Sequence, residues 1–107
     1  MSGDDRCPSF QAAVELIGRR WNGAIARALL PGPLHFSELA RAIPEISDRL
    51  LSRRLKELEA AGIVARGVEG GPPVRVRYAL TEKGAALEEV IAQVERWANA
   101  WQPPAAP

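Results

Sequence analysis

The sequence predicts a mainly α-helical domain that carries one small β-hairpin, an α+β fold. Over most of the chain apolar residues recur at the 3.6-residue spacing of amphipathic helices, and from about residue 74 that spacing gives way to strict alternation. Clusters of Gly and Pro separate the patterned segments. A chain of 107 residues can bury one core. We expect a single domain over residues 7–101, between a flexible arm (1–6) and a Pro/Ala tail (102–107).

The composition narrows the class of protein. Hydrophobic residues make up 47% and charged residues 25%, as in ordinary globular domains. No secretory segment and no apolar run of the ~18 residues that a membrane span needs is present, so we expect a cytoplasmic protein without a membrane partner. One Cys and one His form no metal-ligand cluster, and neither paired carboxylates nor a nucleophile with its base stands out. No cofactor, metal or enzymatic activity is therefore predicted.

Two short helices open the domain. Cys7-Pro8 favours a helix start, because proline is tolerated in a first turn, and Gly18 is a plausible end. A second helix is predicted from about Trp21 to Leu30, where Pro31-Gly32-Pro33 must stop it. Each helix has one apolar stripe, and the first consists of Phe10, Ala13, Val14 and Ile17.

The next two helices are predicted to be joined by a tight turn. The third helix begins near Phe36 and ends at or near Ile43, before Pro44. Ser47 is a good N-cap for a fourth helix that runs to Ala61. Only about three residues separate the two helices, which is the spacing of a helix-turn-helix.

The fourth helix has one apolar side and one basic side. Leu51, Leu55 and Leu58 share the apolar stripe, and the opposite side holds Arg49, Ser52, Arg53 and Lys56. Such a helix fits a DNA major groove, although a solvated face of an ordinary amphipathic helix has the same pattern. Arg54 lies on the flank, where it either contacts DNA or pairs with Glu57 three residues on.

A β-hairpin follows this helix. Ile63 to Val68 is rich in β-branched residues, and Val74 to Leu80 alternates apolar and other residues. Glu69 to Pro73 forms the tip between them. Arg66, Arg75 and Arg77 are placed to reach DNA phosphates, so the hairpin is interpreted as the wing of a winged helix-turn-helix.

The last helix is predicted over residues 81–101, with Thr81 as its N-cap. Its apolar stripe is longer than a domain of this size needs to cover its core. The surplus indicates a partner surface, for which a second copy of the chain is the expected partner. The stripe consists of Leu87, Val90, Ile91, Val94, Trp97 and Ala98, extended by Trp101.

The order and spacing of these motifs resemble those of the HxlR family, winged helix-turn-helix transcription regulators of bacteria. The resemblance covers roughly Cys7 to Trp97. It is carried by segments that are weak singly and specific together: Cys7-Pro8, residues 16–21, 32–39, 43–47, 51–59, 72–78 and 80–84, which include LIGRRW, GPLHFSEL, IPEIS, LSRRLKELE and LTEKG.

The resemblance implies a homodimer that binds double-stranded DNA at a roughly palindromic operator, with half-sites ~34 Å apart. Arg49 and Arg53 are the candidates for base contacts, because a guanidinium can bond a guanine edge twice. The other DNA-contact candidates are Ser37, Ser47, Ser52, Arg54, Lys56, Arg75 and Arg77. The implied interface of the first and last helices comprises Phe10, Val14, Val90, Ile91, Val94, Trp97 and Trp101.

Two further hypotheses stay open at this point. Some members of the family sense oxidants or electrophiles through a cysteine at the position of Cys7, and its only possible protein disulfide here would be intermolecular. Trp21, Trp97 and Trp101 either belong to core and interface or line a small-effector pocket. The rival from another functional class is a winged-helix module that binds protein without specific DNA binding.

Overall fold

The structure is a computed structural model that describes residues 8–101. The predicted N-terminal arm, Cys7 and the Pro/Ala tail lie outside these residues. The described part contains helices and strands in the order α1, α2, β1, α3, α4, β2, β3, α5. Their bounds are α1 Pro8–Gly18, α2 Asn22–Leu29, β1 Leu34–His35, α3 Phe36–Ala42, α4 Asp48–Ala60, β2 Val64–Glu69, β3 Arg75–Leu80 and α5 Glu82–Trp101.

All five predicted helices are present within two residues of their expected ends. The start of α2 differs for a local reason: Trp21 has a φ of 80°, in the left-handed region, so it cannot be the first helical residue. The guanidinium of Arg20 lies over its ring, 4.9 Å from the centroid. Trp21 packs on the rim of the hydrophobic core.

The predicted hairpin is the larger part of a three-stranded antiparallel sheet with the order β1-β3-β2. In β1, Leu34 pairs with Tyr78 and His35 pairs with Arg77. This strand was not predicted, because two residues cannot display alternation. Because β1 pairs with β3 and is followed directly by α3, it joins the wing to the start of α3.

Helix α4 begins and ends as its sequence requires. The Ser47 hydroxyl accepts a hydrogen bond from the Leu50 amide at 3.1 Å, which caps the helix. Gly62 has a φ of +79° and terminates it in the left-handed conformation that glycine adopts without strain. Leu51, Leu55 and Leu58 are buried, so the opposite side of α4 faces outward.

The core lies between α2, α3, α4 and the first residue of β2. Burying these side chains removes apolar surface from water, which is the main stabilising contribution to the fold. The buried apolar residues of the cluster are Ile25, Leu29, Leu39, Ile43, Ile46, Leu51, Leu55, Leu58, Ile63 and Val64.

Helix α5 is fixed at its N-terminal end. The Gly84 amide donates to the Thr81 hydroxyl at 3.0 Å, as predicted for an N-cap, and that hydroxyl donates to the Gly62 carbonyl oxygen. Lys83 Nζ donates to the Ala61 carbonyl oxygen at 2.7 Å, at the C-terminal end of α4. The start of α5 is thereby tied to the end of α4. Among residues 8–101, no helix combines the length and hydropathy needed to cross a bilayer.

Candidate nucleic-acid interface

The basic side of α4 is presented to solvent. Arg49, Arg53 and Lys56 are exposed, and Ser52 between them is partly buried. The three cations form no ion pair with another residue of the described segment. Because the leucines on the other side anchor α4 in the core, these cations project from a rigid helix. This geometry lets α4 lie in a DNA major groove without a change in the fold.

Helix α3 and the cap of α4 place the serines beside this surface. Ser37 is exposed in the first turn of α3. Ser47 is also exposed, and its oxygen already accepts the Leu50 amide proton. Its own hydroxyl proton remains free for donation to a phosphate oxygen.

Arg54 has an intramolecular role. Its side chain is only 12% exposed, Nη1 lies 3.1 Å from Glu57 Oε1, and Nε donates to the carbonyl oxygen of Arg20 at 3.0 Å. Glu57 Oε1 also pairs with Arg19 Nε at 3.2 Å. Of the two alternatives that the sequence left open, the structure contains the pair with Glu57.

The wing arginines belong to a polar network that the sequence analysis missed. Arg77 Nη1 donates to Glu69 Oε2 at 2.8 Å, and Arg75 Nη2 lies 3.2 Å from His35 Nδ1. Both guanidinium groups remain exposed. Arg66, also exposed, projects from the other face of the hairpin, because it lies opposite Tyr78 and side chains alternate along a strand.

His35 is the centre of that network. Its Nε2 lies 2.8 Å from Glu69 Oε1, and its Nδ1 lies 3.0 Å from Glu38 Oε1. The same Glu38 oxygen accepts the His35 backbone amide at 2.7 Å, so residues 35 and 38 form a capping box at the start of α3. The sequence does not indicate this cap, because histidine is not among the usual N-cap residues.

The network holds two carboxylates in the charged form. The backbone N–H of His35, followed by its side chain, lowers the pKa of Glu38 below its ordinary value. Hydrogen bonds from the side chains of His35 and then Arg77 lower the pKa of Glu69 in the same way. Both glutamates are therefore acceptors at neutral pH.

Comparison with known proteins identifies this arrangement. The model of the HxlR-like helix-turn-helix family matches residues 16–106 of the chain. The chain belongs to this family. YvaP of Bacillus subtilis, an uncharacterised HTH-type transcriptional regulator, is 43% identical over 104 residues, which cover 97% of this chain and 96% of YvaP. The HTH-type transcriptional regulator YodB of the same organism is 46% identical over 97 residues, which cover 91% of this chain and 87% of YodB.

The solved structures of YodB share the fold. Its reduced form matches this HxlR-like chain with a TM-score of 0.87 at 44% identity, and the match covers 94% of this chain and 99% of YodB. The diamide-treated form matches with a TM-score of 0.83 at 44% identity, and the match covers 94% of this chain and 100% of YodB. The quinone-bound form matches with a TM-score of 0.80 at 44% identity, and the match covers 90% of this chain and 100% of YodB. The predicted family, fold class and regulator function are thereby confirmed.

A second surface of this HxlR-like regulator is apolar. Most of the residues predicted for dimerisation are open to solvent, from 44% exposure for Val90 to 76% for Trp101, while Ile91 is partly buried. Phe10 and Val14 on α1 and Val94 and Trp97 on α5 are exposed as well. Several large apolar side chains exposed on one helix are typical of an interaction surface.

Proposed function

We propose that this HxlR-like transcription regulator acts as a homodimer on a roughly palindromic operator and inserts one α4 into each of two successive major grooves. The observation that carries the proposal is the basic side of α4, where Arg49, Arg53 and Lys56 stand exposed on a helix whose other side is locked in the core. An α-helix fits the major groove, and dimeric helix-turn-helix proteins bind half-sites about one turn, ~34 Å, apart.

The side chains have separate roles in this proposal. Arg49 and Arg53 contact base edges, because a guanidinium can donate twice to a guanine. Phosphate contacts fix the position of the protein and supply the salt-dependent part of the affinity. We assign these contacts to Ser37, Ser47, Ser52, Lys56, Arg75 and Arg77. Arg54 is not assigned a DNA contact, because its guanidinium is bound to Glu57 and to the Arg20 carbonyl oxygen.

The dimer is proposed from the distribution of apolar side chains along α5. Gly84 is buried and Leu87 packs against the core, whereas Val94, Trp97 and Trp101 farther along are more than half exposed. A helix of 20 residues extends about 30 Å, so its C-terminal half projects past the core. A second copy that aligns its own α1 and α5 there would cover both apolar surfaces.

An effector response through Cys7 is a further part of the proposal. The relative YodB has been solved in a quinone-bound and in a diamide-treated form, which supports sensing of electrophiles or oxidants by a thiol. Cys7 is the only cysteine of this chain, so a protein disulfide would join two subunits. A regulator of transcription acts where the chromosome lies, which in bacteria is the cytoplasm.

Selection from random DNA duplexes tests the proposal. We expect the full chain, at about 0.15 M salt, to enrich an inverted repeat with half-sites about one helical turn apart. The selection is run with the thiol reduced and again after mild oxidation, where loss of enrichment would support Cys7 as the sensor. The double variant Arg49→Ala/Arg53→Ala should lose the enrichment and keep its oligomeric state.

The alternative, a protein-interaction module without specific DNA binding, predicts a different result. It requires no enriched sequence under either condition and no effect of the two arginine substitutions. Equal retention of all duplexes, with a steep salt dependence, would leave only nonspecific electrostatic binding and would contradict the operator.

A further inference from the structure

We propose that His35 is a positioning residue that fastens the wing to α3, and that its protonation releases Arg75 from the imidazole toward a DNA phosphate. The inference rests on the proposed DNA-binding function, and it adds a residue and a control by pH to that function. It is argued from the hydrogen bonds around one imidazole ring.

The sheet register brings the participating groups to one face. His35 in β1 lies opposite Arg77 in β3, and Glu69 in β2 lies opposite Arg75. Directly opposed residues of antiparallel strands share a face, as do residues two apart on one strand. Glu38 reaches the same ring from α3. The charged groups around His35 are therefore Glu38 from α3, Glu69 from β2, and Arg75 and Arg77 from β3.

Both ring nitrogens of His35 have a carboxylate oxygen within hydrogen-bond distance, Glu38 at 3.0 Å from Nδ1 and Glu69 at 2.8 Å from Nε2. An ionised carboxylate can only accept, so both contacts are hydrogen bonds only when both nitrogens carry protons. The imidazolium form therefore joins α3 to β2 through one ring.

The neutral ring makes a different set of bonds. With its proton on Nε2 it still donates to Glu69, and the lone pair of Nδ1 then accepts from Arg75 Nη2, 3.2 Å away. Glu38 Oε1 keeps the His35 backbone amide as its donor. When a proton from solvent adds to Nδ1, that lone pair is gone and Arg75 loses its acceptor.

Protonation has two consequences for DNA binding. The charge of the cluster increases by one, since two glutamates and two arginines otherwise balance. The Arg75 guanidinium is released at an exposed position of the wing, where a DNA phosphate oxygen can accept a hydrogen bond from it.

The first test is made on the free protein. His35 is the only histidine in the chain, so the imidazole nitrogen NMR signals need no assignment. We expect the neutral ring to carry its proton on Nε2 and the protonated ring to carry protons on both nitrogens. Glu69→Gln and Arg75→Gln should each change the titration or the tautomer populations. Spectra that are identical in the wild type and in both variants would overturn the proposal.

The second test measures the affinity for the selected operator between about pH 6 and about pH 8. We expect the wild type to bind several-fold more tightly at the lower pH, with a salt slope steeper by about one phosphate contact. His35→Gln retains a donor and an acceptor without titrating, and should remove the pH dependence. Arg75→Gln, at an exposed position, should remove it too, which keeps the test valid if His35→Gln is unstable.

Arg66→Gln is the matched control. It removes a cation from the same hairpin on the face away from His35, so any loss of affinity should be the same at every pH and the pH dependence should stay intact. A wild-type pH dependence in both His35→Gln and Arg75→Gln would refute the inference. If the wild type selected no operator, the proposed function itself would fail, and the NMR titration would still decide whether His35 is coupled to Glu69 and Arg75.

Discussion

A Cβ atom added to Gly84 would lie 2.1 Å from the carbonyl oxygen of Ile63. No real contact is that short, and the obstacle is backbone rather than a flexible side chain. Glycine is therefore required at position 84, because only a residue without a side chain lets the first turn of α5 lie against the start of β2. The neighbouring hydrogen bonds of Thr81 to the Gly62 carbonyl and to the Gly84 amide depend on the same contact.

We predict that Gly84→Ala lowers the free energy of unfolding by about 2 kcal/mol or more, because α5 must move away from β2 to accommodate the methyl group. Urea denaturation followed by circular dichroism measures the change. Gly23→Ala in α2 is the matched control, since nothing lies within 4 Å of the added Cβ. It should leave stability unchanged or raise it by up to about 1 kcal/mol. Equal effects of the two substitutions would contradict this role of Gly84.

The helices and the two long strands could be predicted from the sequence, because each contains enough residues to show the spacing of apolar side chains that is typical of its structure. Ser47 and Thr81 each cap the helix that they were predicted to cap. The strand β1 was missed, since two residues show no alternation and their partners, Tyr78 and Arg77, lie far along the chain. Pairing between distant segments is decided by the tertiary fold, which a local pattern does not encode.

The candidate site was predictable on α4 and less so on the wing. One helix fixes the relative positions of Arg49, Arg53 and Lys56, so the helical period was enough to place them on one side. The network of His35, Glu69 and Arg77 joins three strands, and the register that brings these residues together appears only in the folded sheet.

Adjacent arginines of α4 should respond differently to substitution. Arg53 is exposed on the basic side, whereas the Arg54 side chain is 12% exposed and bound to Glu57. We predict that Arg53→Gln weakens operator binding about tenfold with little change in stability, because it removes one bidentate contact. Arg54→Gln should leave affinity within about twofold and lower the stability by up to about 1 kcal/mol.

Fluorescence anisotropy with an operator duplex and thermal unfolding of the free protein separate the two effects. Each variant is the control for the other, since the same charge is removed one residue apart. A tenfold loss of affinity in Arg54→Gln with unchanged stability would return Arg54 to the DNA-contacting residues.

The two glutamates of the His35 network should contribute to stability in a pH-dependent way. Their pKa values are lowered in the folded protein, so the folded state binds fewer protons than the unfolded state. Their contribution is therefore present above the unfolded-state pKa of about 4.3 and is lost as the pH falls through the lower folded-state values. We predict that Glu38→Gln/Glu69→Gln lowers the thermal midpoint at neutral pH and approaches the wild type once the pH has fallen below the folded-state pKa values.

Differential scanning calorimetry across the acid range measures this convergence. The control is Glu88→Gln/Glu89→Gln, which removes the same charge from exposed side chains of α5 that form no hydrogen bond with another described side chain. Its midpoint should follow that of the wild type with a nearly constant offset. A constant offset for the Glu38/Glu69 variant as well would show that these carboxyls are not held by His35 and Arg77.

The exposed stripe of α5 provides the test of the dimer. Trp97 is 64% and Val94 is 53% exposed in the single chain, so neither is needed for its core. We predict that Val94→Asp/Trp97→Asp halves the mass measured by light scattering and preserves the helical circular dichroism spectrum. The reason is that two unpaired carboxylates would have to be buried at the subunit interface.

The same substitutions should weaken binding to an operator with two half-sites far more than binding to a single half-site, because the loss of the dimer separates the two α4 helices. Gln93→Glu is the matched control: it also adds a carboxylate to an exposed position of α5, between the proposed contact residues in sequence. It should keep the dimer mass. A wild type of monomer mass at micromolar concentration would contradict the dimer, and a variant that remains dimeric would place the interface elsewhere on the molecule.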